Sequence, residues 1–131
     1  MYTILIVDDT PVTLRNIKSL LDKKYEVILA TSGKQALKLI PEKAPDIILL
    51  DYQMPEMSGK EVFEIMQEDE EMKKIPVIFL TGVSDRKTIY SVLKLKPAGY
   101  ILKPAEEEKL LDTIGQVAAT LEESEEHSTN S

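Results

Sequence analysis

Apolar and polar positions fall in blocks along this chain, and the period of the pattern changes from block to block. Three unbroken apolar runs, Ile4-Leu5-Ile6-Val7, Ile47-Ile48-Leu49-Leu50 and Val77-Ile78-Phe79-Leu80, lie between longer stretches where apolar residues recur every three or four positions. A short continuous apolar run bounded by turn formers suits a strand covered on both faces, as in a parallel sheet beneath helices. The pattern predicts strands at Tyr2 to Val7, Glu26 to Ala30, within Asp46 to Pro55, Pro76 to Leu80 and Gly99 to Lys103. In the third of these, Asp51 directly follows the apolar run and a turn comes after it.

Helix signals occupy the intervals. Thr10 is placed to cap a first helix with Pro11 at its first position, where the missing N–H is not needed. Leu14, Ile17, Leu20 and Leu21 follow at helical spacing, and Lys23-Lys24 suit the negative end of the helix dipole. Ser32 caps a second helix with Ala36, Leu37, Leu39 and Ile40 inward, ended by Pro41 and Pro45. Ser58 and Glu61 form the spacing of a capping box, and Val62, Phe63, Ile65 and Met66 would pack inward behind it. Asp85 caps a fourth helix carrying Ile89, Val92, Leu93 and Leu95. Glu106, Glu107 and Glu108 give the fifth an acidic first turn, followed by Leu110, Ile114, Val117 and Leu121 on one face.

Five β-α units in succession imply an α/β fold, a doubly wound parallel sheet with right-handed crossovers and five flanking helices. The alternation does not itself set the strand order. The flavodoxin-like order 2-1-3-4-5 is the arrangement expected for a five-stranded sheet of this kind.

Composition narrows the setting. The 131 residues hold no cysteine, which removes disulfides, thiolate chemistry and cysteine-based zinc sites. Apolar runs of four residues are far short of the roughly 18 a membrane span needs, and no signal peptide is visible, so a soluble cytoplasmic protein is expected. The net charge is -7, of which residues 122–131 carry four glutamates, and neither part has the basic balance that draws a chain to nucleic acid. Residues 1–121 read as one domain, and 122–131 as an acidic disordered tail or the start of a linker, because that segment lacks large apolar residues.

The candidate chemistry collects at strand ends. Asp8 and Asp9 follow the first strand, Asp51 the third, Thr81 the fourth, and Lys103 closes the fifth. Carboxyl ends of parallel strands share one edge, so these distant residues converge. Any one of them could be a simple cap or turn former. Three carboxylates within about 4–5 Å repel by a few kcal/mol per pair, so a hard, oxygen-preferring cation such as Mg²⁺ is expected among them. Lys103 and Thr81 can hold phosphoryl oxygens, and a carboxylate beside them can act as a nucleophile that forms an aspartyl-phosphate.

Asp8-Asp9, Asp51 before Gln-Met-Pro-Glu-Met-Ser-Gly, Thr81-Gly82 and Tyr100-Ile-Leu-Lys103-Pro104, in this order, resemble the receiver domain of bacterial two-component response regulators, chemotaxis regulators included. The resemblance covers residues 1–121. It implies that Asp51 is the phosphoacceptor, charged from the phosphohistidine of a sensor histidine kinase or by a phosphotransfer protein. Asp9 matches the direct Mg²⁺ ligand, Asp8 the acid acting chiefly through water, and Gln53 a backbone-carbonyl ligand beside Asp51. Thr81 and Tyr100 match the switch pair, Lys103 the phosphoryl ion-pair partner, and a cis Lys103-Pro104 bond is expected. Switching would alter the face of helix four, strand five and helix five, including Ile89, Tyr90, Leu93 and Lys94, where partners, an output domain or a second copy bind. Gln53 and Val83 match positions that govern hydrolysis of the acyl phosphate, and Val83 cannot orient a water. Lys96-Pro97-Ala98 departs from the family's usual Gly-Ala pair and acid.

The resemblance thus implies phosphorelay signal transduction, a chain that catalyses only its own phosphorylation and dephosphorylation, and no nucleic-acid or membrane partner. Three other readings compete. A phosphatase of the haloacid dehalogenase type places its nucleophile after strand one in Asp-x-Asp, whereas the acids here are adjacent. A flavin carrier would need a phosphate cradle where Asp8-Asp9 repels one. A degenerate receiver serving as a docking module would not need the complete acid, Thr and Lys set. His127 lies in the acidic tail, and Lys23-Lys24 and Lys73-Lys74 read as solvated helix ends.

Overall fold

The chain is described by a computed structural model that covers residues 1–82 and 86–129, with side chains through residue 123. Val83, the expected cap Asp85 and the imidazole of His127 lie outside the described residues. Five strands, β1 (Thr3–Val7), β2 (Glu26–Ala30), β3 (Ile47–Asp51), β4 (Val77–Thr81) and β5 (Gly99–Leu102), form one parallel sheet in the order β2-β1-β3-β4-β5. Between and after them run α1 (Pro11–Leu21), α2 (Gly33–Lys43), α3 (Gly59–Gln67), α4 (Arg86–Lys94) and α5 (Glu107–Thr129). This is the flavodoxin-like α/β order.

The unbroken apolar runs follow from burial on both faces. Ile4, Ile6, Ile47, Leu49, Ile78 and Leu80 point to the layer built by α1 and α5, against Leu14, Ile17, Leu21, Leu110 and Ile114. Their neighbours Leu5, Val7, Ile48, Leu50 and Phe79 point the other way, against Ala36 and Ile40 of α2, Val62, Phe63 and Met66 of α3, and Val92 of α4. Alternation across a strand means that a sheet sandwiched between helices needs an apolar residue at every position.

Several local expectations are corrected. Thr10 precedes α1 but its side chain makes no cap; instead its backbone N–H donates to Asp8 Oδ1 at 2.9 Å. Pro41 does not end α2 but lies inside it, near enough to the end that one lost backbone bond is tolerated. The stop comes from Ala44 in the left-handed region, φ 45, followed by Pro45. Ile65 and Leu93 are exposed, because α3 and α4 each bury only one side. A short 3-10 turn, Met72–Lys74, was not anticipated. α5 runs as helix from Glu107 to Thr129. Glutamate is a good helix former, and no Gly or Pro follows Gly115 to interrupt it. Among the described residues, no helix is long and apolar enough to cross a membrane.

The capping box of α3 is present in both directions: Ser58 Oγ accepts from Glu61 N–H at 3.2 Å, and Glu61 accepts from Ser58 N–H. Denaturant unfolding should therefore separate the two cap positions. Ser58→Ala is expected to lose about 1 kcal/mol, and Thr10→Ala about 0.5 kcal/mol or less.

Candidate functional site

Strand register sets the site. Val7 is level with Leu50, so Asp8 and Asp51, one residue beyond each, end their strands side by side. Asp51 is in turn level with Leu80, and Thr81 with Leu102, which brings Thr81 and Lys103 to the same edge. Backbone bonds lock these ends. Asp8 N–H donates to Ala30 O at 3.1 Å, Tyr52 N–H to Leu80 O at 2.8 Å, and Lys103 N–H to Thr81 O at 2.8 Å. The Lys103-Pro104 bond is cis, as the resemblance implied.

Asp8 and Asp51 are buried, at 0% and 3% exposure, while Asp9 beside them is exposed. Ligand oxygens of all three carboxylates lie within 4.8 Å of one another. Lys103 Nζ stands between two of them, 2.7 Å from Asp8 Oδ2 and 3.1 Å from Asp51 Oδ2. On Asp51 the other oxygen, Oδ1, accepts from Gln53 N–H at 3.3 Å. Asp8 Oδ2 is buried and has the Lys103 ammonium as its ion-pair partner.

One ammonium against three carboxylates leaves the cluster short of positive charge. Burial, with the Asp8 carboxylate adding to it, pushes the Asp51 carboxyl up to about 6, against the opposing pull of Lys103 and of Gln53 N–H. For Lys103, burial alone would weaken its hold on the proton. Its contacts with Asp8 and Asp51 outweigh that and raise it above the ordinary lysine range. The donor set is all oxygen, anionic and closely grouped, with one ammonium against three carboxylates, which fits a hard divalent cation.

The structure thus brings together Asp8, Asp9, Asp51 and Lys103, with Thr81 buried on the adjoining strand end. Gln53 enters through its backbone. Tyr100, in β5, is level with Phe79 of β4, three residues before Lys103, and its side chain is exposed. Two features were not read from the sequence. One is the pairing of Lys103 with Asp8, which is shorter than its contact with Asp51. The other is Gly59, whose place in the first turn of α3 was a signal, since a poor helix former there marks a close backbone approach.

The raised Asp51 carboxyl has a consequence for stability. A folded state that holds this proton more tightly than the unfolded chain is penalised once the group ionises. The penalty is absent in acid, grows between the ordinary carboxylate range and about 6, and is complete above it. In chelator, Asp51→Asn is expected to be more stable than wild type by about 3 kcal/mol at neutral pH, with the gap closing below pH ~4. Denaturant midpoints measured across pH check this.

Residues 4–115 match the response regulator receiver domain family. Over 113 residues the chain is 34% identical to the polar-differentiation response regulator DivK of Brucella ovis, covering 86% of this chain and 92% of that one. It is 40% identical over 102 residues to a probable cyclic di-GMP phosphodiesterase of Vibrio cholerae, covering 78% of this chain but spanning only 23% of that relative's length. Among solved structures it is similar to the chemotaxis protein CheY4 of Vibrio cholerae, with TM-score 0.82 and 29% identity over 89% of this chain and 98% of that one. The strand order, the acidic cluster and these matches agree: the chain belongs to the response regulator receiver domain family, and its function is that of a receiver in phosphorelay signal transduction.

Proposed function

We propose that Asp51 is the phosphoacceptor, charged by the phosphohistidine of a sensor histidine kinase or phosphotransfer protein. A carboxylate oxygen of Asp51 attacks the phosphorus, and the P–N bond breaks. The imidazole nitrogen leaves with the electron pair and takes up a proton, and an acyl phosphate remains on the aspartate. The observation that carries this reading is the buried Asp51 carboxylate with Asp8, Asp9 and Lys103 gathered around it. The protein's chemistry is confined to its own aspartyl group.

Asp8, Asp9, Asp51 and the backbone carbonyl of Gln53 are the proposed Mg²⁺ ligands, Asp8 acting chiefly through water. The bound ion supplies the positive charge that lets an acidic pocket accept a phosphoryl group. Lys103 exchanges its carboxylate partner Asp51 for a phosphoryl oxygen, and the Thr81 hydroxyl turns to donate to another. Tyr100, on the strand that Lys103 closes, is the proposed reporter, moving inward as Thr81 moves. The surface this would change is defined by α4, β5 and α5. There Tyr90 is 65% and Leu93 50% exposed, Lys94 Nζ lies 5.5 Å from the Tyr90 ring centroid, and Leu102 is also exposed. Exposed apolar residues in such a group support a docking role for a partner, an output domain or a second copy. The proposed signalling unit is residues 1–121.

Incubation with Mg²⁺ and acetyl phosphate, followed by intact mass measurement, tests the reading. Wild type is expected to gain one phosphoryl adduct only when Mg²⁺ is present, and Asp51→Asn none. Equal adducts on both proteins, or none on wild type, would contradict it. Followed over time, Val83→Glu is expected to lose the adduct faster than wild type.

A further inference from the structure

The backbone carbonyl of Asp51 is pressed against the first residue of α3. A Cβ placed on Gly59 would fall well inside contact distance of Asp51 O and 2.9 Å from both the Asp51 carbonyl carbon and Tyr52 Cα. These are backbone atoms of a strand end bonded to β4 through Tyr52 N–H and Leu80 O, so they cannot swing aside as a side-chain tip would. Gly59 is also tied in from its other side. Its N–H donates to Tyr52 O at 3.0 Å, which closes the segment of residues 52–59 into a cinched loop. Within that loop Glu56 adopts the left-handed region, φ 67, and Gln53 N–H reaches back to Asp51 Oδ1. α3 itself cannot retreat freely, held by buried Val62, Phe63 and Met66.

We propose that Gly59 is a positioning residue for the Asp51 chemistry: its missing side chain lets α3 close the loop directly on the Asp51 backbone and so fixes the carboxylate relative to Asp8, Asp9 and Lys103. Gly59 has no positive φ, so the requirement is for space, not for backbone freedom. Any side chain there must displace either the strand end or the helix. A displacement near 1 Å in a site of this kind costs about 100-fold in rate. The inference rests on the reading of Asp51 as phosphoacceptor and Mg²⁺ ligand.

Gly33 provides a matched control. A Cβ there would also be crowded, 2.6 Å from Val62 Cγ2 and 3.1 Å from Met57 Sδ, but these are side-chain atoms of α3 and of the same loop, which can shift without moving the Asp51 backbone. Gly59→Ala, Gly33→Ala and wild type are compared by circular dichroism melting, Mg²⁺ titration calorimetry and the rate of adduct formation at saturating Mg²⁺. Both variants are expected to melt lower than wild type. Only Gly59→Ala is expected to bind Mg²⁺ at least about 10-fold more weakly and to react at least about 10-fold more slowly while folded. Equal Mg²⁺ affinity and rate in Gly59→Ala and wild type would overturn the inference, as would equal losses in both variants. Failure of wild type itself to bind Mg²⁺ or form the adduct would instead sink the underlying reading.

A measurement on wild type does not depend on the variant folding. If loop closure and the site are coupled, Mg²⁺ must slow hydrogen exchange at the Gly59 amide more than at Ala36, whose N–H bonds Ser32 O at 3.0 Å in the equivalent turn of α2. An equal factor at the two amides would overturn the inference.

Discussion

The structure depends on a charge imbalance held in one place. Asp8, Asp9 and Asp51 share one edge of the sheet, and a single ammonium, Lys103, is set between the two buried acids. In water such a group would be screened and of little consequence. Here the sheet is covered on both faces, and each carboxylate pair at about 4–5 Å repels by about 4 kcal/mol at an effective dielectric near 20. Lys103 offsets part of that and no more. The unmet negative charge suits the site to a divalent cation. With a cation in place, the proposed attack of a carboxylate on an anionic phosphoryl group becomes feasible.

Tolerating that imbalance falls to the core. Ile4 to Val7, Ile47 to Leu50 and Val77 to Leu80 are buried at every position, and each such side chain contributes about 1.5–3 kcal/mol. The same strands deliver the site's geometry, since parallel register alone places Asp8 level with Asp51 and Thr81 close to Lys103. Lys103 also ties the site to β5, whose Tyr100 and Leu102 are exposed. A change in the charge on Asp51 therefore acts first on the Lys103 contact, and β5 is the shortest physical route from there to the exposed apolar face. In the proposed switch, that route carries the signal.

Most of the architecture was readable from the chain, for a physical reason. Burial on both faces writes each central strand as an unbroken apolar run, and Ser58 with Glu61 wrote the start of α3 correctly. Prediction failed where tertiary context overrides local preference. Thr10 is a capping residue type, but its side chain makes no cap, and its backbone N–H is turned to Asp8 Oδ1. Pro41 is a helix breaker that sits too near the end of α2 to break it. Ile65 and Leu93 are apolar yet lie on outer faces, which helical spacing alone does not distinguish. For the site, position at strand ends was enough to find Asp8, Asp9, Asp51, Thr81 and Lys103 as a group. It could not give the Lys103–Asp8 contact, which joins strand ends far apart in sequence, or the pressure of Gly59 on Asp51, which depends on how the loop between β3 and α3 closes.

The central claim is that Lys103 is the internal counter-charge of an over-acidic site and therefore competes with a divalent cation for it. Calorimetric titration of Mg²⁺ into wild type and Lys103→Met tests this directly. The electrostatic account predicts that removing the ammonium tightens Mg²⁺ binding by about tenfold, since the carboxylates then face the ion without a rival. Unchanged or weaker binding in Lys103→Met would contradict it.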